Sequence, residues 1–404
     1  DRPLIQTEAQ NRIAYTYTTD QRNNVETVTD AKGKVTAYTY STEGNLTRID
    51  YPNVTDADGG SQTAFEEFVY ADPQGRGRMT SSIDAELHTT AFQYNDSTTG
   101  LVTHILRPGG TSYEVFTYDA NGNAKTHTMP EGGMTTSNLD GLYRVDNQVD
   151  PLGKITDFDY DLDSNLFYVK DPKNNVTTSA FDKLGRLTST VAPAGTSSFE
   201  YDREGNTRKS KDPNAVTYYS AKALFDELGR VKDERRDGTG ASALEHRTTL
   251  TYDPNGNVLT RTEVGSTNRL TSYAYNARNL LEETTYPINT ITDHNCYDQN
   301  DNLIFSQRRN TADSPVFRYA TSNDFDQRNR LRSSTQVTDP NTPAGCPTGT
   351  ITGVTTKHYY NKNSSRTKVK DPTGKTMQWT YDSRERQETT IDGAGVTVAQ
   401  NVFN

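Results

Sequence analysis

A tyrosine-anchored repeat constrains this chain more than any other feature. Tyr118, Leu139, Tyr160, Phe181 and Tyr201 follow one another at intervals of 21, 21, 21 and 20 residues. Looser spacing adds Tyr17, Tyr40, Tyr70, Tyr94, Phe225, Tyr252, Tyr275, Tyr297, Phe325, Tyr360 and Tyr381. These anchors define about sixteen units, and such self-similarity means stacked copies of one supersecondary element. An aspartate follows many anchors: Asp119, Asp161, Asp182, Asp202, Asp226, Asp253 and Asp382. A carboxylate in that place accepts backbone N–H groups inside a turn. Pairs such as Gly122-Asn123, Gly185-Arg186 and Gly256-Asn257 come next, and the glycine predicts a positive φ. Half a unit later, Asp150-Pro151-Leu152-Gly153 and Asp371-Pro372-Thr373-Gly374 carry the preferences of a type I turn. The intervening segments alternate apolar and polar residues and favour strands. One unit is therefore strand, turn, strand, turn. The expected fold is all-β: tandem antiparallel hairpins in one continuous sheet, with the anchor rings stacked as a packing ladder.

Composition agrees. Only 31% of the 404 residues are hydrophobic, yet there are 24 Tyr and 13 Phe, so the core is expected to be thin and aromatic rather than absent. A net charge of -10 argues against nucleic acid as a partner, since phosphate binding needs clustered cations. No apolar run is long enough for a membrane span. Polar insertions at 52–64 and 338–353 read as surface loops, attributed mainly to drift at tolerant positions.

The pattern Y-D-x-x-G-N, then D-P-x-G and a Thr-bearing strand to the next Tyr, resembles the YD-repeat, or Rhs-repeat, family. It is clearest in the units that start at Phe181-Asp182, Phe225-Asp226 and Tyr252-Asp253, and between Asp371 and Asp382. That family includes bacterial Rhs polymorphic toxins, shell subunits of insecticidal toxin complexes, wall-associated proteins and animal teneurins. The resemblance implies a sheet wound in a wide spiral, which in the toxins forms a hollow cocoon around a toxic domain. The expected function is that of a shell segment of a secreted bacterial toxin or large surface protein, partnered by toxin cargo or neighbouring shell segments. The alternatives are an extracellular adhesion or carbohydrate-binding array, with glycans as ligands, and a structural strip that self-associates edge to edge. The family's terminal cap motif and aspartyl self-cleavage site find no match here, so neither cargo nor autoproteolysis attaches to a residue. The opening Asp1-Arg2-Pro3 and a repeat rhythm that runs to the end suggest one array over 1–404 belonging to a longer shell. Rolled once, such a strip would make a ring on the order of 50 Å across, open at both ends.

Catalytic chemistry is not expected. His88, His104, His127, His246, His294 and His358 are scattered, and no phosphate loop or nucleophile elbow is present. The chain is read as a non-enzyme without cofactor or metal. His294 and Cys296 alone are too few for a zinc site, and calcium in the 52–64 loop, at Asp56 and Asp58, is a minor alternative. Cys296 and Cys346 form either one bridge or two separate thiols; the Pro/Gly loop around Cys346 favours the bridge and an oxidising compartment. For sugar stacking, the off-anchor rings Tyr218, Tyr219, Tyr273, Tyr319 and Trp379 are better placed than the anchors.

Overall fold

The computed structural model describes residues 5–8, 11–96, 98–213, 221–236, 246–287, 291–310, 317–337, 346–347 and 351–402. Among them are 36 strands, from β1 (Ile5–Glu8) to β36 (Thr397–Gln400), and no helix. Thirty-four strands form one sheet, and each pairs antiparallel with the strand that precedes or follows it. The exception is a separate hairpin of β6 (Val54–Thr55) and β7 (Ser61–Gln62). It leaves β5 (Leu46–Asp50) to pair directly with β8 (Phe65–Val69). The sheet is thus a pure meander, built from local hairpins in which every strand finds its partner next in sequence.

The turns explain the period. Asp119 N–H donates to Asn123 O at 2.9 Å, and Gly122 N–H donates to Asp119 O at 3.1 Å. Asp119 Oδ1 accepts the N–H groups of Asn121 and Asn123, each at 2.9 Å. The second type of turn uses the same scheme: Asp150 Oδ1 accepts from Leu152 and Lys154 at 2.8 Å, and Gly153 N–H reaches Asp150 O at 2.9 Å. Gly122 and Gly153 have φ of 87° and 74°, the left-handed conformation that glycine adopts without steric cost. What separates the two turns is the strand before them. In the YD hairpin of β16 (Ile155–Tyr160) and β17 (Leu166–Lys170), the register slips between Asp159 and Tyr160, so that Tyr160 pairs with Leu166. The same bulge recurs at Tyr118, Phe181, Tyr201, Phe225, Tyr252 and Tyr381.

The anchors act differently from a stacked ladder. They are half-buried, and the ring–ring contacts among the described residues are His104 with Tyr113 and Phe116 with His127, neither between two anchors. Most anchor tyrosines instead donate the hydroxyl to a backbone carbonyl just past the preceding YD turn. Tyr118 reaches Val102 O at 2.8 Å, Tyr160 Val145 O at 3.1 Å, Tyr201 Leu187 O at 2.7 Å, Tyr252 Val231 O at 2.6 Å and Tyr381 Arg366 O at 2.8 Å. Rings two strands apart in a single flat layer lie about 10 Å from each other, too far to stack, whereas the hydroxyl bridges the gap to the neighbouring hairpin.

The core is correspondingly thin. Fully buried hydrophobic residues are few among the described ones; three of them, Cys296, Phe305 and Ala320, meet under Ile304, Val337 and Ile351.

Candidate functional site

The sheet coils until it meets itself. Lys32 Nζ lies 3.0 Å from Asp298 Oδ2, a sequence separation of 266 residues. Asn300 Nδ2 donates to Asp30 Oδ2 at 2.7 Å across 270 residues, and Asn363 Nδ2 to Asp84 Oδ2 at 2.8 Å across 279. Arg384 Nε reaches Pro108 O at 3.4 Å across 276. The near-constant offset marks one revolution, here called a whorl, and the contacts form a seam. One side of the seam is made by second-type turns near Asp30, Asp84 and Pro108; the other is made by YD turns near Asp298, Asn361 and Asp382. Roughly two dozen strands fill one whorl, which at ~4.8 Å per strand gives a girth on the order of 110 Å and a width on the order of 35 Å. The strip is therefore narrower than the single ring of about 50 Å expected from strand number, and it overlaps itself.

The 52–64 insertion is part of the seam rather than a drifting loop. Its β6–β7 hairpin laps onto the second whorl, where Thr55 N–H donates to Gln327 Oε1 at 2.8 Å and Gln62 Nε2 to Tyr360 O at 3.4 Å. Val54 and Ala64, at 2% and 5% exposure, are among the most buried residues described. The two aspartates of the insertion have protein partners in this geometry. Asp58 already binds the Lys357 ammonium at 2.7 Å and the Tyr359 hydroxyl at 2.6 Å, and these partners hold its carboxyl down at about 2. Asp56 Oδ1 caps its own turn, accepting from Asp58 and Gly60 at 2.8 Å.

Within each whorl, the last residue of the YD turn binds the turn aspartate, and where it is Arg it also ties one unit to the next. Where that residue is Asn, its amide grips the turn aspartate, as with Asn123 on Asp119, Asn165 on Asp161, Asn206 on Asp202 and Asn257 on Asp253, at 2.8–3.0 Å. In the Gly-Arg units Arg186 binds Asp182 and Arg230 binds Asp226 at 2.7 Å. The same guanidinium groups lie 4.7 and 4.5 Å from the centroids of the next anchors, Tyr201 and Tyr252, and donate onward to Asp202 O and Asp253 O. Arg386 likewise binds Asp382 at 2.7 Å. These contacts depress the aspartates: the Asn123 amide holds Asp119 below the usual carboxylate range, and the Arg186 guanidinium does the same for Asp182. The Asn/Arg alternation is visible in the sequence, but within one unit nothing marks the arginine as a link to the next anchor.

Cys296, in β28 (Ile291–Tyr297), and Cys346 are joined by a disulfide, with Cα atoms 5.6 Å apart. Both sulfurs are thereby withdrawn from any metal site with His294, although Cys346 Sγ lies 3.9 Å from His294 Nε2. Of the rings considered for sugar stacking, Tyr218 and Tyr219 lie outside the described residues, as does most of the 338–353 insertion. Tyr273 is half-buried, Trp379 is half-buried with the Arg366 guanidinium 4.9 Å from its centroid, and Tyr319 is 72% exposed. Among the described residues, none of these rings stacks on another.

The sequence matches the Teneurin YD-shell family over residues 53–242 and the RHS Repeat family over residues 20–60. Over those residues the chain is similar to YD/Rhs-repeat proteins. No curated protein matches it. Among solved structures, the YD array superposes on a chain of the Photorhabdus luminescens Tc holotoxin pore with a TM-score of 0.70 and 16% identity, over 95% of its own length. It superposes on a chain of the TcdB2-TccC3-Cdc42 crystal structure with a TM-score of 0.71 and 14% identity, over 97%. In both cases it spans 22% of the solved chain. At this identity the likeness is one of fold: a YD/Rhs shell-type sheet. No helix among the described residues is long and apolar enough to cross a membrane.

Proposed function

We propose that this YD/Rhs array is a wall segment of a secreted shell, structural rather than catalytic, with neighbouring shell segments and an enclosed toxin cargo as its partners. The observation that carries the reading is the seam. A strip that laps over itself every 266 to 279 residues through turn-to-turn contacts builds a wall from a single layer, without a filled core. The described turns and anchors are occupied with holding that wall together, which supports a non-enzymatic role. The Cys296–Cys346 bridge fits an oxidising, extracellular location. Single-particle imaging of the purified chain tests the reading. An open-ended coil around an empty lumen is expected; a compact particle with a filled interior would overturn it.

A further inference from the structure

The Cys296–Cys346 bridge conceals a set of metal donors. His294 and Cys296 alternate with Asn295 in β28, so their side chains share one face of the sheet. Cys346 joins them on that face, with its Sγ 3.9 Å from His294 Nε2. The ring nitrogen and both sulfurs lie within 4.8 Å of one another. Two cysteines and a histidine are donor types that zinc takes, at about 2.3 Å to sulfur and about 2.0–2.1 Å to nitrogen. Tetrahedral geometry at those lengths sets sulfur about 3.8 Å from sulfur and about 3.6 Å from nitrogen. The sulfur–nitrogen distance already falls within a few tenths of an ångström of that value. Only the bond between the sulfurs departs from it. With the cysteine Cα atoms 5.6 Å apart, rotation about the Cα–Cβ bonds parts the sulfurs once that bond is broken.

A second observation lies beside these donors. Gln307, in β29 (Leu303–Asn310), pairs with His294 in the register and shares its face. It is 1% exposed, and its Nε2 has no hydrogen-bond partner among the described residues. A buried donor without an acceptor is costly. Zinc held by three protein ligands carries a fourth from solvent, and an oxygen there would give this amide its acceptor.

We propose that the reduced chain binds one zinc ion through His294, Cys296 and Cys346. A chain made in a reducing compartment starts with both cysteines as thiols, and the ion then ties Cys346 to β28 before the bridge does. Where the bridge has already closed, a dithiol opens it: the dithiol becomes a disulfide and passes two electrons and two protons to Cys296 and Cys346. Zinc forms a bond to each sulfur and displaces both protons to solvent. His294 contributes the Nε2 lone pair, with its ring proton on Nδ1. The two thiolates cancel the charge of the ion, which suits Cys296 at 2% exposure. An oxidising disulfide takes the two electrons back, closes the bridge and releases the ion. The site needs neither cargo nor neighbouring segments, so it can fail while the wall-segment reading stands.

Cobalt(II) takes the place of zinc and reports its ligands by absorption. The intact chain is reduced with dithiothreitol, desalted under nitrogen and titrated with cobalt(II), while far-UV circular dichroism confirms that the parent and each variant keep the sheet. One ion per chain is expected to bind, with a thiolate-to-cobalt charge-transfer band and the visible bands of a four-coordinate ion. Excess zinc should bleach both, and the unreduced chain should show neither. Cys346→Ser should weaken the charge-transfer band. His294→Ala should keep it but weaken binding by more than the about 10- to 100-fold that loss of an outer-shell partner costs. In the reduced parent, zinc but not magnesium should restore protease protection to the loop between the cysteines. No binding, binding without the charge-transfer band, equal binding by reduced and unreduced chains, unchanged affinity in His294→Ala, or no protection by zinc would each overturn the proposal.

Discussion

Adding a hydroxyl to Phe181 should strengthen the sheet. Anchor tyrosines in other units donate to the carbonyl one residue past the preceding YD turn, as Tyr201 does to Leu187 O at 2.7 Å and Tyr160 to Val145 O at 3.1 Å. For Phe181 the equivalent carbonyl belongs to Leu166, at the start of β17. Phe181→Tyr places an O–H against it, and a hydrogen bond of this kind contributes about 0.5–1.5 kcal/mol net. A 404-residue repeat array need not unfold in one step, so the effect is best read locally. Hydrogen exchange of the peptides spanning β17 and β18 (Val176–Phe181) should slow by about two- to tenfold. Tyr160→Phe should speed exchange in its own hairpin by a similar factor. Phe325→Tyr is the control: there Asn323 Nδ2 already donates to the corresponding carbonyl of Leu303 at 3.0 Å, so the gain should be much smaller. If Phe181→Tyr leaves exchange unchanged while Phe325→Tyr slows it, the hydroxyl is not what joins neighbouring hairpins.

Three further outcomes follow from the same geometry. Tyr143 sits at the glycine position of its turn with φ 64° and 57% exposure, so Tyr143→Gly should relieve strain of about 1–2 kcal/mol less about 0.5–1 kcal/mol of glycine entropy, and slower exchange in the hairpin it closes is the readout. The turn aspartates Asp119, Asp161, Asp182, Asp202, Asp226, Asp253 and Asp382 titrate below their usual range, and Asp58 and Asp72 lie at about 2; a carboxylate with a folded pKa below its unfolded value stabilises above the unfolded pKa and loses that contribution as pH falls through the folded one. Acid unfolding followed by circular dichroism should therefore begin near pH ~4 and complete toward ~2, and a transition finished well above that range would contradict the assignment. Thiol titration of the denatured, unreduced protein should find no free thiol at Cys296 or Cys346, and reduction should expose the 50-residue loop between them to protease, since loop closure on that scale is worth up to about 4 kcal/mol in the chain-entropy model; two titratable thiols would reject the bridge.

Local features were legible in the sequence because local chemistry decides them. The aspartate and glycine of each turn, the strand alternation and the meander follow from residues within one 21-residue unit, and the positive φ at Gly122 and Gly153 is what those glycines are for. The anchor's role was half legible. A ring at a fixed slot reads as packing, but the preference for Tyr over Phe signals the hydroxyl, and Asn323 beside Phe325 supplies the same donor in another form. The seam was not legible. Whether Asp84 meets Asn363 depends on how much twist and coiling each hairpin adds, accumulated over an entire whorl, and no residue pattern at either site announces its partner. For the same reason the 52–64 insertion looked like drift, although its Asp58 and Val54 are committed to the contact.

Zero-length cross-linking tests the self-overlapping coil most directly. A carbodiimide joins a lysine to a carboxylate only when the two are in contact, and the seam places Lys32 against Asp298 at 3.0 Å and Lys357 against Asp58 at 2.7 Å. Mass spectrometry of the cross-linked monomer fraction should recover both pairs, although 266 and 299 residues separate their members. Recovery of neither pair, or their appearance only in cross-linked oligomers, would mean that the sheet does not wind back onto itself.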